Sequence, residues 1–370
     1  MKIIIAGGGT GGHLFPAIAL AEEIKSKYPS SELLFVGTKK GLEAKIIPQM
    51  SYKLKFISVQ GFVGKSVKQK INSVAKLLKS FFESKQILDE FSPDIVFGVG
   101  GYVSFPIVFL AHFRKIPTVI LEQNIVPGLA NKILGKLVSA VVITYPESID
   151  YFPKYKVFLT GTPIRKSILS ADINNARKIF ELEENRITVL IFGGSLGARK
   201  INKAVIEALP YLIDLKDSIQ FIHQTGIQDF NWVSKEYETF SFKAKVLPFI
   251  HDMPEAYHVA DLVVCRAGAS TVAEITALGK ASILIPYPYA VYNHQEINAR
   301  KLLSQHACEM ILDRELSGEI LAKNIKKIIG NPQLKRNMEI ASKAFGKPNA
   351  SEKILEVAET LVRRRFNVQI

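Results

Sequence analysis

The residues best suited to chemistry in this 370-residue chain gather at glycine-rich turns. Near the start, Gly7-Gly8-Gly9-Thr10-Gly11-Gly12 runs into His13, an imidazole of the type that titrates near neutral pH. Glycines let the backbone turn sharply and leave no Cβ between a ligand and the amides. Further on come Glu122-Gln123-Asn124, Gly193-Gly194-Ser195-Leu196-Gly197, and Arg266-Ala267-Gly268-Ala269-Ser270-Thr271 with Glu274 close behind. A glycine turn between a strand and a helix offers backbone N–H groups and a positive dipole end, a site for an anion such as phosphate.

The spacing Gly7-x-Gly9-x-x-Gly12 fits the dinucleotide fingerprint, which also requires an acid after the second strand to hold the ribose diol. The second strand is predicted at Leu33–Val36 and ends in Gly37-Thr38-Lys39-Lys40, while Glu32 precedes it at the opposite end of the sheet. That sets a nicotinamide cofactor aside. A Walker-type loop fails too, because no Gly-Lys-Ser/Thr follows the glycines.

The elements that position these turns follow from periodicity. Ile3–Ile5 reads as a strand buried on both faces. Leu14, Ala17, Ile18, Ala21 and Ile24 then trace one helical face. Further strands are predicted at 56–59, 95–99, 117–121, 138–144 and 157–160. From Ile187 the pattern restarts, with strands at 187–192, 219–223, 245–247, 261–265 and 281–286. The expected architecture is α/β, with two Rossmann-like domains whose parallel sheets face each other across a cleft. Residues 1–162 form the first domain, completed by a C-terminal helix at 345–370 that crosses back onto it. Residues 163–344 form the second, and Gly161-Thr162-Pro163-Ile164-Arg165 links the two.

Composition bounds the partners. A chain with 48% hydrophobic and 22% charged residues is globular, and a formal net charge of +14 favours anionic partners. Two cysteines, Cys265 and Cys308, make neither a disulfide framework nor a metal-ligand spacing, which suits a reducing compartment. The N-terminus enters a strand directly, so no signal peptide is expected. The longest uncharged run, 95–113, contains Gly98, Gly100, Gly101 and Pro106 and reads as strand, turn and helix, not as a membrane span. The loop Gln60-Gly61-Phe62-Val63-Gly64-Lys65 displays two apolar side chains beside a lysine, a tip suited to an anionic membrane surface. In the helix that follows, Val67, Ile71, Val74, Leu78 and Phe81 are expected to pack on the sheet.

Taken in order, the motifs resemble one family along essentially the whole chain: the MurG N-acetylglucosaminyltransferases of peptidoglycan synthesis. The carriers are Gly8-Gly9-Thr10-Gly11-Gly12-His13 with Pro16, Gly100-Gly101-Tyr102-Val103-Ser104, Glu122-Gln123-Asn124 with Pro127-Gly128, Gly193-Gly194-Ser195, and Arg266-x-Gly268-Ala269 with Thr271 and Glu274. Three positions depart from the family pattern: Phe105 stands for a usual Gly, Leu121 for a frequent His, and Leu196 for a common Gln. The resemblance implies a GT-B fold and transfer of N-acetylglucosamine from UDP-N-acetylglucosamine to the muramyl 4-hydroxyl of lipid I. Lipid II and UDP would be the products, with inversion at the anomeric centre, at the cytoplasmic face of the cell membrane.

The resemblance also implies roles. In the second domain, Glu274 would take both hydroxyls of the ribose. Ser195 and its turn would bind phosphate, and Ile250 would hold the uracil through its backbone. Ala269, Ser270 and Thr271 would line the same nucleotide-sugar site, and Gln295 would meet the sugar hydroxyls. Arg165 would neutralise charge on the leaving diphosphate. In the first domain, Thr10, Gly11, Gly12 and Asn124 would face the acceptor. His13 is either the general base or a donor to the lipid diphosphate, and both readings stand at this point. No Asp-x-Asp or carboxylate cluster calls for a catalytic metal or other cofactor, although Mg²⁺ riding on the diphosphate is compatible. Rival readings are another GT-B glycosyltransferase or a UDP-N-acetylglucosamine 2-epimerase, which would need further acid/base carboxylates. A nucleic-acid binder would need aromatics interleaved with the basic residues, and these are sparse.

Overall fold

The computed structural model describes residues 1–59 and 67–367. The chain divides into two compact units, Met1–Arg165 with Pro348–Ile370, and Lys166–Lys347. No helix among the described residues is long and apolar enough to cross a membrane.

The first unit holds seven strands: β1 (Lys2–Gly7), β2 (Glu32–Gly37), β3 (Lys53–Phe56), β4 (Ile95–Gly100), β5 (Thr118–Glu122), β6 (Ala140–Ile143) and β7 (Val157–Leu159). They pair in parallel in the order β3-β2-β1-β4-β5-β6-β7. Alternation along β1 explains its unbroken apolar run. Ile3 and Ile5 join the core with Leu14, Ala17, Ile18, Ala21 and Ile24, whereas Ile4 and Ala6 join the opposite core with Val103, Ile107, Val108 and Ala111. Burying each isoleucine contributes roughly 1.5–3 kcal/mol, so helices on both faces hold the strand. The C-terminal helix Ala350–Asn367 adds Ile354, Leu355, Ala358 and Val362 to the first of these cores.

The second unit repeats the plan with β8 (Ile187–Phe192), β9 (Ile219–Gln224), β10 (Ala244–Leu247), β11 (Leu262–Cys265), β12 (Ser282–Leu284) and β13 (Glu309–Met310). Its parallel order is β10-β9-β8-β11-β12-β13. In each unit the strand order reverses beside the first strand, between β1 and β4 and between β8 and β11. Open α/β sheets bind ligands outside the strands' carboxyl ends at such points. All the glycine turns picked out in the sequence leave from these ends.

Two expectations need correction. The third strand lies at Lys53–Phe56, not 56–59. It is the edge of the sheet and largely exposed, so no apolar run marks it, and the buried Ile57 comes just after its end. In the helix Val67–Phe91, Leu78 of the expected stripe is 59% exposed, while Ser80, Ser84, Ile87 and Leu88 are buried; the side chains of Val67, Ile71 and Val74 lie outside the described residues. Small serines on that face let the neighbouring helix Ser104–Phe113 approach closely, and Phe81 meets Phe105 and Phe109 edge-on. The loop tip at Phe62 and Val63 lies outside the described residues.

Candidate functional site

In the first unit the glycine turn after β1 is held from beneath by a carboxylate that sequence reasoning missed. Glu43, 1% exposed, accepts from the Gly9 N–H at 2.8 Å, the Thr38 N–H at 2.8 Å and the Thr38 hydroxyl at 2.9 Å. A Cβ on Gly8, Gly37 or Gly41 would lie within 2.4 Å of that side chain, so three glycines from two segments converge on one carboxylate. An acid therefore does follow the second strand, but it is spent on the turn and not shown to a ribose. Gly8 at φ +151° and Gly9 at φ +86° take conformations that L side chains rarely adopt.

The helix Gly11–Lys27 opens at exposed Thr10. Its sixth residue, Pro16, has no N–H to give the Gly12 carbonyl, so the helical ladder leaves that acceptor at the mouth of the turn. His13 stands in the first turn of this helix, half-buried, with its ring against the turn after β4. A Cβ on Gly100 (φ +110°) would lie 2.5 Å from His13 Nδ1, and one on Gly101 would lie 3.5 Å from its Cδ2. The slot fixes the ring's orientation. Gly100→Ala is expected to push the imidazole out and lower kcat by at least about tenfold, since small misplacements of a reacting group are costly. Steady-state kinetics beside thermal unfolding checks this, and an unaltered kcat in a folded variant would contradict it.

Two further predicted residues sit at this end of the sheet. Asn124 follows β5, where its backbone and side-chain N–H groups both donate to Glu122 Oε1, at 3.0 and 3.1 Å. Glu122 is fully buried, and desolvation pushes its carboxyl above the usual range against hydrogen bonds from Asn131, Asn124 and Gly128. It shapes the 124–128 loop and does not itself face a ligand. The Arg165 guanidinium lies 4.8 Å from the centre of the Phe15 ring, and Phe15 in turn packs where a Gly11 Cβ would be, at 3.1 Å. The structure thus gathers Arg165 with the first glycine turn.

The second unit brings together a different set. Gly193–Gly197 follows β8, with Gly194 at φ +101° and Gly197 at φ +77°. A Cβ on Gly197 would come 2.0 Å from the Thr225 carbonyl, so this turn rests directly on the end of β9. After β11, Gly268 leads into the helix Ala269–Leu278, whose first turn carries Ala269, Ser270 and Thr271, all half-buried. Glu274, 7% exposed, accepts from the Tyr257 hydroxyl at 3.0 Å, and that bond orients the carboxylate. Arg266 reaches the Ile285 and Pro286 carbonyls and Asp313, and its guanidinium lies 5.6 Å from the Tyr287 ring centre. Burial would raise the Asp313 carboxyl, but hydrogen bonds from Arg266 and Lys200 outweigh it and hold it below its ordinary value. Arg266 is therefore a strut for the loop before Gln295.

Gln295 Oε1 accepts from the Tyr287 N–H at 2.9 Å, which leaves its NH₂ as the donor for a ligand hydroxyl. Ile250 is 2% exposed, with no polar side-chain atom to offer. Tyr257, Asp313 and Glu43 act on the site through other residues over distances in sequence that no local pattern reveals. Only the glycines flanking Glu43 carried a signal. Cys265 and Cys308 are buried, and burial raises both thiols, Cys308 to about 12, so neither is a nucleophile at neutral pH.

Comparison with known proteins bears on this arrangement. Residues 3–143 match the Glycosyltransferase family 28 N-terminal domain, and residues 188–354 match the Glycosyltransferase family 28 C-terminal domain. The chain is 67% identical over 365 residues to a UDP-N-acetylglucosamine–N-acetylmuramyl-(pentapeptide) pyrophosphoryl-undecaprenol N-acetylglucosamine transferase of Thermodesulfovibrio yellowstonii, covering 99% of this chain and 100% of that protein. The Myxococcus xanthus protein of the same name is 45% identical over 98% of this chain and 93% of its own. Among solved structures, MurG of Acinetobacter baumannii superposes with a TM-score of 0.76 at 28% identity, covering 97% and 99% of the two chains. A UDP-N-acetylglucosamine 2-epimerase of Neisseria meningitidis reaches 0.70 at 14% identity over 97% of this chain and 100% of its own, a likeness of fold alone. The fold is GT-B, two Rossmann-like units each with a parallel sheet. With both domains of glycosyltransferase family 28 and a full-length relative at two-thirds identity, the chain belongs to the MurG family of N-acetylglucosaminyltransferases.

Proposed function

We propose that the protein transfers N-acetylglucosamine from UDP-N-acetylglucosamine to the 4-hydroxyl of the lipid-linked N-acetylmuramyl pentapeptide, releasing UDP with inversion of the sugar's anomeric centre. The observation that carries this reading is full-length 67% identity to a transferase of that name. The first unit takes the acceptor on Thr10, Gly11, Gly12 and Asn124. His13 removes the proton of the attacking hydroxyl, a role suited to a ring held at one angle in the Gly100 slot. The second unit takes the donor. Glu274 accepts from the ribose hydroxyls, Ser195 and the first turn of the helix Ala269–Leu278 meet the diphosphate, and the Gln295 NH₂ donates to the sugar. Arg165 offsets charge that builds up on the leaving UDP. Release of UDP tests the reading: it should require the lipid-linked acceptor, and steady release without acceptor would contradict it.

The same reading places the enzyme peripherally on the cytoplasmic face of the membrane, where its acceptor lies. Leu78, Phe82 and Phe113 are 59%, 75% and 64% exposed, and Phe113 ends a ladder of rings running from Phe81 through Phe109. Large apolar side chains left in water on a strongly basic protein suit insertion beneath anionic headgroups. Replacing Phe82 and Phe113 together by serine should lower partition onto anionic vesicles by about tenfold or more. Co-sedimentation unchanged from the wild type would remove these residues from the contact.

A further inference from the structure

The end of β9 carries a side chain that joins two parts of the donor site. Gln224, the last residue of that strand, is 2% exposed and lies between Phe192 of β8 and Leu247 of β10. Its Nε2 donates to the Gly194 carbonyl at 2.8 Å, in the turn after β8. Its Oε1 accepts from the Ile250 N–H at 2.9 Å, in the segment after β10. One partner is a pure acceptor and the other a pure donor, so only one orientation of the amide satisfies both. The side chain therefore spans from the loop on one side of its strand to the loop on the other.

This grip sets the direction of an anion-binding amide. The Gly194 carbonyl is turned toward Gln224 and also accepts from the Gly197 N–H at 2.9 Å. In a trans peptide the following N–H points opposite to the carbonyl. The peptide is trans, so the Ser195 N–H points away from Gln224, and a Gly194 Cβ would meet nothing within 4 Å. At the other end, Gln224 occupies the Ile250 N–H, which leaves the Ile250 carbonyl as the backbone group suited to accept from uracil N3–H.

We propose that Gln224 is a positioning residue that couples recognition of the uracil to binding of the diphosphate. A base seated on Ile250 steadies the Gln224 amide, and the amide holds the Gly194–Ser195 peptide with its N–H toward the phosphates. The inference rests on the donor site proposed above, with Ile250 at the base and Ser195 at the diphosphate.

Gln224→Met keeps the volume and loses both bonds. Competitive inhibition by uridine, UMP and UDP should show the UDP-to-uridine affinity ratio falling about tenfold, the size of one lost amide–phosphate hydrogen bond. KM for the donor should rise while KM for the acceptor stays within about twofold, a split that general destabilisation would not produce. Hydrogen exchange on the wild-type chain needs no variant. Uridine, which has no phosphate to touch the turn, should slow exchange at 193–197 as well as at 249–250. Equal loss of affinity for all three ligands, or protection by uridine confined to 249–250, would overturn the proposal. Wild-type protein that fails to bind UDP would instead overturn the donor site itself, and the coupling with it.

Discussion

Glu274→Ala should lower kcat/KM for UDP-N-acetylglucosamine by about 10²–10⁴-fold. The carboxylate is almost fully buried at the carboxyl end of the sheet, and Tyr257 donates to one of its oxygens. A carboxylate can accept from both hydroxyls of a ribose diol. Charge-assisted bonds contribute about 1.5–3 kcal/mol each, so losing the pair gives a factor of this size. Glu274→Gln keeps the shape but exchanges one acceptor for a donor, and should fall between the two. The diagnostic comparison uses UDP and 2′-deoxy-UDP as inhibitors. Wild-type protein should prefer the ribose form, and Glu274→Ala should not distinguish them. A variant that keeps the preference would remove Glu274 from the ribose.

His13→Ala should reduce kcat by about 10²–10⁴-fold, the range for loss of a general base, and leave KM for the acceptor within about threefold. The imidazole rises from the first turn of its helix into a slot lined by Gly100 and Gly101, where it has little freedom to rotate. Such confinement suits a group that must meet one hydroxyl at a set angle. The competing role, a donor to the lipid diphosphate, gives the opposite pattern: acceptor KM rises and kcat at saturation persists. Steady-state kinetics over a range of acceptor concentrations separates the two.

Much of this site was legible in the sequence because each turn carries its own signal. Glycines mark positive φ, apolar runs mark strands buried on both faces, and a restart of the pattern at Ile187 marks a second sheet of the same order. Residues that act through others were not legible. Glu43 lies on a short helix after β2, Gln224 looks like any polar strand end, and Tyr257 precedes Glu274 by a whole strand and turn. Their partners are set by how the chain packs, and no period or motif encodes that. The misplaced third strand and the exposed Leu78 have a related cause. An exposed edge strand lacks an apolar run, and serines can line a buried helix face when a neighbouring helix comes close.

The reading of the opening turn also changes. Its glycine spacing fits a dinucleotide loop, yet the Gly9 amide is already bonded to Glu43. A carboxylate built into the turn takes up one of the donors that a pyrophosphate would need, and its negative charge stands beneath the loop. That makes a second phosphate cradle at this point unfavourable and leaves the turn to present Thr10, the Gly12 carbonyl and His13. The glycines after β8 have no such internal carboxylate on their amides among the described residues, and the Ser195 N–H points away from Gln224.

The most direct measurement follows the sugar. Purified protein is incubated with UDP-N-acetylglucosamine labelled in the sugar, with and without a lipid-linked muramyl pentapeptide acceptor. Label should enter the lipid phase only when the acceptor is present, in a new β-linked disaccharide, with one UDP released per sugar transferred. Label that stays in water-soluble products whether or not the acceptor is supplied would contradict the account.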